Sequence, residues 1–268
     1  MRQATDPHML TGRTIVVTRP AEQAHPLAER IRAAGGTPVV FPVLEIRDIE
    51  DAAPLQAIVR RIAGFDLAIF VSPNAVQRAL AAIAAAGGLP PHVRAATVGQ
   101  GSAAALRRAG IADVIAPTTR FDSEALLDAA EMQPVAGRRI VIFRGVGGRD
   151  LLGDTLTARG AVVEYAECYR RAKPDADPAP LFELWAQDLL SGIVVTSSEG
   201  MRNLFEMVGT TGRAWLEHTL LVVPHERIAE TARALGATRV LLTGPNDDGI
   251  LAGMIEWWSG GGALHRPV

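Results

Sequence analysis

Six short stretches of the chain share one chemistry. Thr18-Arg19, Ser72-Pro73-Asn74, Gly99-Gln100-Gly101-Ser102, Arg144-Gly145, Thr196-Ser197 and Pro224-His225 each follow an apolar, β-rich run and lead into a helix-forming segment. A helix N-terminus carries backbone N–H groups without intrahelical partners and the positive end of the helix dipole. Such a turn accepts an anion without needing a lysine. Six of them suit a ligand with many carboxylates. Each taken singly reads more simply as a helix cap, because Ser, Thr and Asn are favoured there; the recurrence is what points to binding.

Other candidate groups divide less evenly. The stretch "IVIFRGVGGRDLLGDTLTARG" (140–160) reads as strand, glycine-rich turn and helix. Its Gly145-Val146-Gly147-Gly148 is neither GxGxxG nor the Gly-Lys-Ser/Thr of a phosphate loop. Glu164 stands at about the distance of a ribose-binding acid, but in a segment outside the repeating pattern. An anion contact at Arg144-Gly145 and a tight turn that needs glycine both remain open. The histidines, His8, His25, His92, His218, His225 and His265, show no HExxH or paired spacing, so no metal centre is expected. His225 alone follows a strand end, where it is either a ligand contact or an exposed stand-in for a cap. Cys168, the single cysteine, has no nucleophile signature and reads as a small buried hydrophobe. Tyr165 and Tyr169 are the two tyrosines. In an extended segment, positions 165, 167 and 169 point one way, which places both phenols and Glu167 on one face. A phenol there can donate to a leaving group or a carboxylate; the alternative is two packed rings with surface hydroxyls.

The elements that must position these groups alternate. Apolar runs at 14–18, 67–72, 95–99, 114–117, 139–144, 192–197, 220–224 and 239–243 are short and apolar on both faces, as parallel strands under helices are. Helical segments fall at 21–34, 75–86, 102–109, 122–132, 150–159, 199–208 and 226–235, several ending at glycine. The fold class is α/β with parallel sheets. Two longer segments, 37–48 and 161–175, break the pattern. If they pair as an antiparallel connector, residues 1–40 and 172–268 form one α/β lobe and 41–171 an inserted second. The connector strands then lie near 39–47 and 161–171. A single split near 135–175 is the alternative. An internal echo favours two similar lobes: 67–80 resembles 192–205, and 96–110 resembles 222–236.

Composition excludes several classes. The 268 residues are 48% hydrophobic, enough for two cores. With 27 basic and 29 acidic side chains, the net charge of −2 offers nothing to nucleic acid. No apolar run approaches the ~18 residues of a membrane span, and the opening residues carry no leader-like apolar region. One cysteine fits a reducing compartment. A cytoplasmic monomer is the expectation, with no membrane or nucleic-acid partner.

The motifs "VVTRPAEQAHPLAERIRAAGG", "FPVLEI", "FVSPNAV", "VGQGSAAAL", "IVIFRGVGGRDLLGDTLTARGAVVEYAECYRR", "VVTSSEGMRNL" and "VVPHERIAETARALG" occur in this order. In them the chain resembles the uroporphyrinogen-III synthase family of bacterial type over nearly its full length. The resemblance implies two flavodoxin-like lobes joined by a two-stranded antiparallel connector, with the active site in the cleft between them. It implies conversion of hydroxymethylbilane, with its eight carboxylates, to uroporphyrinogen III with loss of water and inversion of ring D. This is a step of haem and sirohaem synthesis that uses no metal and no organic cofactor. It implies Tyr169 as proton donor and Thr18, Arg19, Ser72, Asn74, Gly99, Ser123, Arg144, Gly145, Thr196 and Ser197 as substrate-facing positions. His225 departs from the small hydroxyl residue common there. A transient contact with the preceding pathway enzyme is a further expectation. Two other readings stand beside it: a non-catalytic, two-lobed binding protein for a small polyanion, and a nucleotide-dependent enzyme using the 145–148 loop.

Overall fold

The computed structural model describes residues 9–260; His8, His265 and most of the opening stretch read for a leader lie outside them. The chain begins β1 (Thr14–Val17), α1 (Ala21–Ala33), β2 (Thr37–Val40), β3 (Glu45–Arg47), α2 (Ala53–Arg60), β4 (Leu67–Phe70), α3 (Pro73–Ala85), β5 (Arg94–Thr97), α4 (Gln100–Arg108) and β6 (Val114–Ile115). It continues α5 (Ser123–Asp128), β7 (Arg139–Gly145), α6 (Leu151–Ala158), β8 (Val162–Ala172), α7 (Ala179–Ala186) and β9 (Leu190–Val194). It ends α8 (Ser198–His218), β10 (Leu221–Val223), α9 (Glu226–Ala234), β11 (Val240–Leu242) and α10 (Asp247–Ser259). Residues 9–45 with 172–260 form one compact unit, and Ile46–Arg171 the other.

The first unit holds a five-stranded sheet in the order β11-β10-β9-β1-β2, parallel at every pairing. Its side chains alternate between two apolar layers. Val16, Ile193 and Leu221 meet α8 and α9 residues such as Leu204 and Ile228 on one face. Ile15, Val17, Val194 and Val222 meet Leu27 of α1 and Ile250 of α10 on the other. Burial of each such side chain stabilises by roughly 1.5–3 kcal/mol, which is why these strands contain so few polar residues.

The second unit holds six strands in the order β3-β8-β7-β4-β5-β6. The pairings from β8 through β6 are parallel. Here too the two faces differ. Ala68, Phe70, Val141 and Phe143 pack with α2 and α3, the two phenyl rings stacked at 5.0 Å. Ile69, Ile140 and Ile142 pack with α5 and α6. Setting β3 aside, the two sheets share a layout. Reading β6-β5-β4-β7-β8 against β11-β10-β9-β1-β2 pairs each strand with a counterpart, and the helices after β4 and β5 correspond to those after β9 and β10.

The segment 39–47 is not one connecting strand, as the sequence suggested. Its first part is β2, in parallel register with β1, and β3 lies beside β8 in the other sheet. Pro42 separates them because it has no N–H to offer a ladder; Phe41 and Val43 donate instead to the carbonyls of Val17 and Thr18. Nor is 161–171 only a connector, since β8 pairs with β7 from Val162 to Tyr169. The helix expected over 199–208 continues to His218 across a break at Gly209, whose φ of 60° and ψ of −163° are not helical.

Candidate active site

The C-terminal ends of β4 and β7 in the second unit open on a pocket of about 280 Å³. Ligands of open α/β sheets bind at this edge. Its walls hold Ser72, Ser123, Arg144, Gly145 and Tyr169 of the sequence-predicted set. They also hold Arg149, Arg171 and Phe121, which the sequence reading did not single out. A larger hollow of about 480 Å³ in the same unit is lined by Glu50, Asp51 and Glu167 against Arg170. That balance repels a polycarboxylate, whereas the smaller pocket sets Arg149 and Arg171 beside Asp122, with Arg144 bound to Asp150 of its own turn.

Tyr169 reaches the pocket through an irregularity. Arg144 pairs with Glu167, but Gly145 pairs with Tyr169, so β8 holds one residue more than β7 across this step. This is a β-bulge at Cys168, and it turns the strand's remaining side chains over. The expectation that Tyr165, Glu167 and Tyr169 share a face is corrected accordingly. Tyr165 joins the α5–α6 layer. Tyr169, only 2% exposed, joins the opposite one with Ala166 and Cys168. Its ring lies on Gly145, where an added Cβ would come within 2.7 Å of two ring atoms. Its hydroxyl stands 3.0 Å from Ser72 Oγ, which also accepts the Ala75 N–H at 3.1 Å as the N-cap of α3.

Arg144 is only 13% exposed, and its two terminal nitrogens are engaged within the unit while Nε is buried without a partner. Nη1 donates to Gly148 O at 3.1 Å and Asp150 Oδ1 at 2.7 Å. Nη2 lies 3.6 Å from Glu167, and the guanidinium stacks on the Tyr165 ring at 3.8 Å. Tyr165 OH donates to Asp150 O at 3.2 Å. Burial, with the Asp150 carboxylate nearby, pushes that phenol above its ordinary pKa. Arg144 and Tyr165 thus shape the 145–150 turn rather than leave a cation free for an anion. The turn closes through Gly148 N–H to Gly145 O at 3.2 Å, with Gly147 at φ 69° and Val146 N–H bound to Tyr169 O. Two of its amides are therefore occupied within the unit. Cys168 is inert for a similar reason: burial pushes its thiol up to about 12, and its S–H points to Arg144 O at 3.3 Å.

The remaining predicted residues occupy strand-end turns. Ser123 opens α5 behind the cap Asp122, whose side chain accepts Ala125 N–H at 2.7 Å. Asn74 lies in the first turn of α3. Gly99 is the N-cap residue of α4 and makes no side-chain cap, with open space where a Cβ would stand. In the first unit Thr18 is buried and donates Oγ1 to Val194 O at 2.8 Å. Arg19 is bound to Asp247 of α10 at 2.6 Å. Thr196 is half-buried beyond β9, and Ser197 caps α8 by accepting Gly200 N–H at 2.9 Å. His225 stands exposed at the start of α9 with no side-chain cap. Among the described residues, no group of three or more His, Cys, Asp or Glu is placed to hold a metal ion, and no helix is long and apolar enough to cross a membrane.

Residues 25–252 match the family model for uroporphyrinogen-III synthase HemD. The uroporphyrinogen-III synthase of Salmonella typhimurium is 36% identical over 225 residues, covering 83% of this chain and 92% of that protein. That of Escherichia coli is 35% identical over 228 residues, with the same coverage. Among solved structures, a mutant uroporphyrinogen III synthase of Thermus thermophilus superposes with a TM-score of 0.59 at 19% identity, over 92% of this chain and 99% of that one. The Helicobacter pylori enzyme gives 0.55 at 15% identity, over 91% and 99%. These last two likenesses concern the fold.

Proposed function

The chain belongs to the uroporphyrinogen-III synthase family, and from that premise we propose that the pocket around Tyr169 is where its reaction takes place. The protein is a cyclising hydro-lyase of tetrapyrrole synthesis. It closes hydroxymethylbilane to uroporphyrinogen III. The single observation that carries the siting is Tyr169 in the wall of a pocket that Arg149 and Arg171 also line.

The reaction needs a leaving group helped and a chain steered. The hydroxymethyl C–O bond breaks, its electron pair leaves with oxygen, and the Tyr169 proton converts that oxygen to water. The substituted carbon of ring D then attacks and forms a spiro intermediate, through which the ring inverts. Unassisted closure of the linear chain does not invert ring D, so the protein's contribution is largely positional. Holding reacting groups in place lowers a barrier by up to about 7–11 kcal/mol. We assign the holding to turn amides of the second unit, at Asn74, Gly99, Ser123 and Gly145. Arg149 and Arg171 add charge. The bare N-cap at Gly99 leaves its helix start uncovered by a side chain, which supports this use. We also take both units as flavodoxin-like. Read from its β2 edge, the order β2-β1-β9-β10-β11 is 2-1-3-4-5 in chain order within the first unit, and β3 with the end of β8 supplies the two-stranded connector.

The test is hydroxymethylbilane turnover with isomer analysis of the product. The type III isomer is expected, and type I alone refutes the reading. A binding protein for a polyanion retains the bilane without closing it. Tyr169→Phe is expected to lower turnover by about 100-fold with the fold retained, as loss of one positioned proton donor does; wild-type turnover removes Tyr169 from the chemistry.

A further inference from the structure

We infer that Ser72 is the positioning residue of Tyr169: its hydroxyl, held at the start of α3, donates to the phenol oxygen and leaves the phenol's own proton directed at the substrate. The inference rests on the reading of Tyr169 as proton donor.

The two oxygens are 3.0 Å apart, and either can be the donor. What surrounds them decides the direction. Ser72 Oγ already accepts the Ala75 N–H at 3.1 Å. A serine hydroxyl that accepts from an amide becomes a poorer acceptor for a second bond and a better donor, because the bonds polarise one another. It also sits at the positive end of the α3 dipole, which favours electron density on the oxygen it faces. Tyr169 has little room to take another pose. It is 2% exposed, and its ring is seated against Gly145. Ser72 therefore fixes the phenol's last freedom, rotation of its O–H.

The arrangement also acts during the reaction. As the proton passes from Tyr169 to the departing hydroxyl, the C–O pair leaves with it as water and charge gathers on the phenol oxygen. Ser72 O–H and the α3 N-terminus already point at that charge and need no reorganisation. The phenolate recovers a proton when the closed ring loses one. In the first unit, Ser197 caps α8 in the same way, but Val43 rather than a phenol lies near it, each approaching the space beside Gly200. The capping serine recurs; the phenol beside it does not.

The experiment compares Ser72→Ala, Ser72→Thr and Ser72→Gly, each alone and with Tyr169→Phe, in steady-state bilane turnover beside thermal melts. The glycine variant keeps the helix start near native stability, since glycine is a tolerable N-cap. Ser72→Ala and Ser72→Gly should each lower kcat by about tenfold with KM nearly constant. Ser72→Thr should restore most of the loss, and none should add to Tyr169→Phe. A loss carried by KM, or an equal loss on the Tyr169→Phe background, overturns the inference and makes Ser72 a carboxylate contact or a cap. Wild-type turnover in Tyr169→Phe overturns it together with the phenol's role. Failure of the unmodified protein to form the type III isomer overturns the family reading instead, whatever the variants do.

Discussion

The two units carry the same parallel layout but use its strand ends differently. Following the ladders pairs Arg19 with Arg144, since each stands at the C-terminal end of the corresponding strand, β1 or β7, beside the strand that leads to a capping serine. Extending β2 and β8 outward likewise sets Val43 against Tyr169. Arg19 reaches across to Asp247 at the start of α10 and ties those two elements together. Arg144 folds back instead, onto Asp150 and the Tyr165 ring, in front of its own helix α6. The space between the end of β7 and the start of α5, where Ser123 stands, is left open as pocket. Val43, 1% exposed, completes an apolar core, whereas Tyr169 brings a hydroxyl to a cavity wall. The duplicate architecture thus differs at these strand ends by the turning of one arginine and the exchange of one aliphatic side chain for a phenol, and the pocket lies where it differs.

The sharpest way to break this comparison is Gly145→Ala. Its Cβ would meet the Tyr169 ring at 2.7 Å, closer than such atoms approach, so the ring must move off Ser72. A displacement of about 1 Å of a reacting group costs on the order of 100-fold, and kcat should fall by that much while circular dichroism stays native. Near-normal turnover would show that the ring's seat on Gly145 has no bearing on the chemistry.

A weaker perturbation acts on the other tyrosine. Tyr165→Ala removes a half-buried ring and the surface on which Arg144 stacks, a loss of about 2 kcal/mol in unfolding free energy. Tyr165→Phe should leave kcat within about twofold, because it deletes only the 3.2 Å bond to Asp150 O, a neutral bond of modest worth. The same Tyr-to-Phe change, four residues apart on one strand, should therefore separate a reacting phenol from a scaffolding one. Equal losses at both positions would erase the distinction.

Much of this layout is legible before any coordinates. Runs such as "TIVVT" and "GIVVTS" are too apolar for edge strands, and the caps Ser72 and Ser197 stand where a strand-to-helix turn needs them. The echo between 67–80 and 192–205 corresponds to the pairing of β4-α3 with β9-α8. Other features leave no mark. The bulge at Cys168 adds a residue without any glycine or proline to announce it, so a strict two-residue period carries Tyr169 to the wrong face. Arg144 reads as an anion contact because its type allows that; its partners Asp150, Glu167 and Tyr165 converge only in the folded chain. Phe121, 54% exposed, and Arg149 lie on a pocket rim that no local pattern describes. Helix α10 is legible in retrospect: Asn246 accepts Gly249 N–H as its cap, and Ile250, Leu251, Met254 and Ile255 recur at helical spacing.

The smallest effect should come from β8 on the side away from the pocket. Glu164 accepts from Arg61 at 2.7 and 2.5 Å and lies 3.6 Å from Arg139. The hydrogen bond from Arg61 holds its carboxyl below the ordinary carboxylate range, against the opposing pull of desolvation. A carboxylate whose folded pKa is depressed adds stability above its unfolded pKa and loses it as pH falls through the folded value. Glu164→Gln should therefore lower the melting temperature slightly at neutral pH, and the difference from wild type should close as the solution is acidified past the usual carboxylate range. The loss is small because the ion pair is largely solvated, so water and salt screen it. Turnover should not change, since neither partner lines the Tyr169 pocket. A drop in kcat without a drop in melting temperature would mean that β8 couples its two ends more tightly than the bulge between them allows.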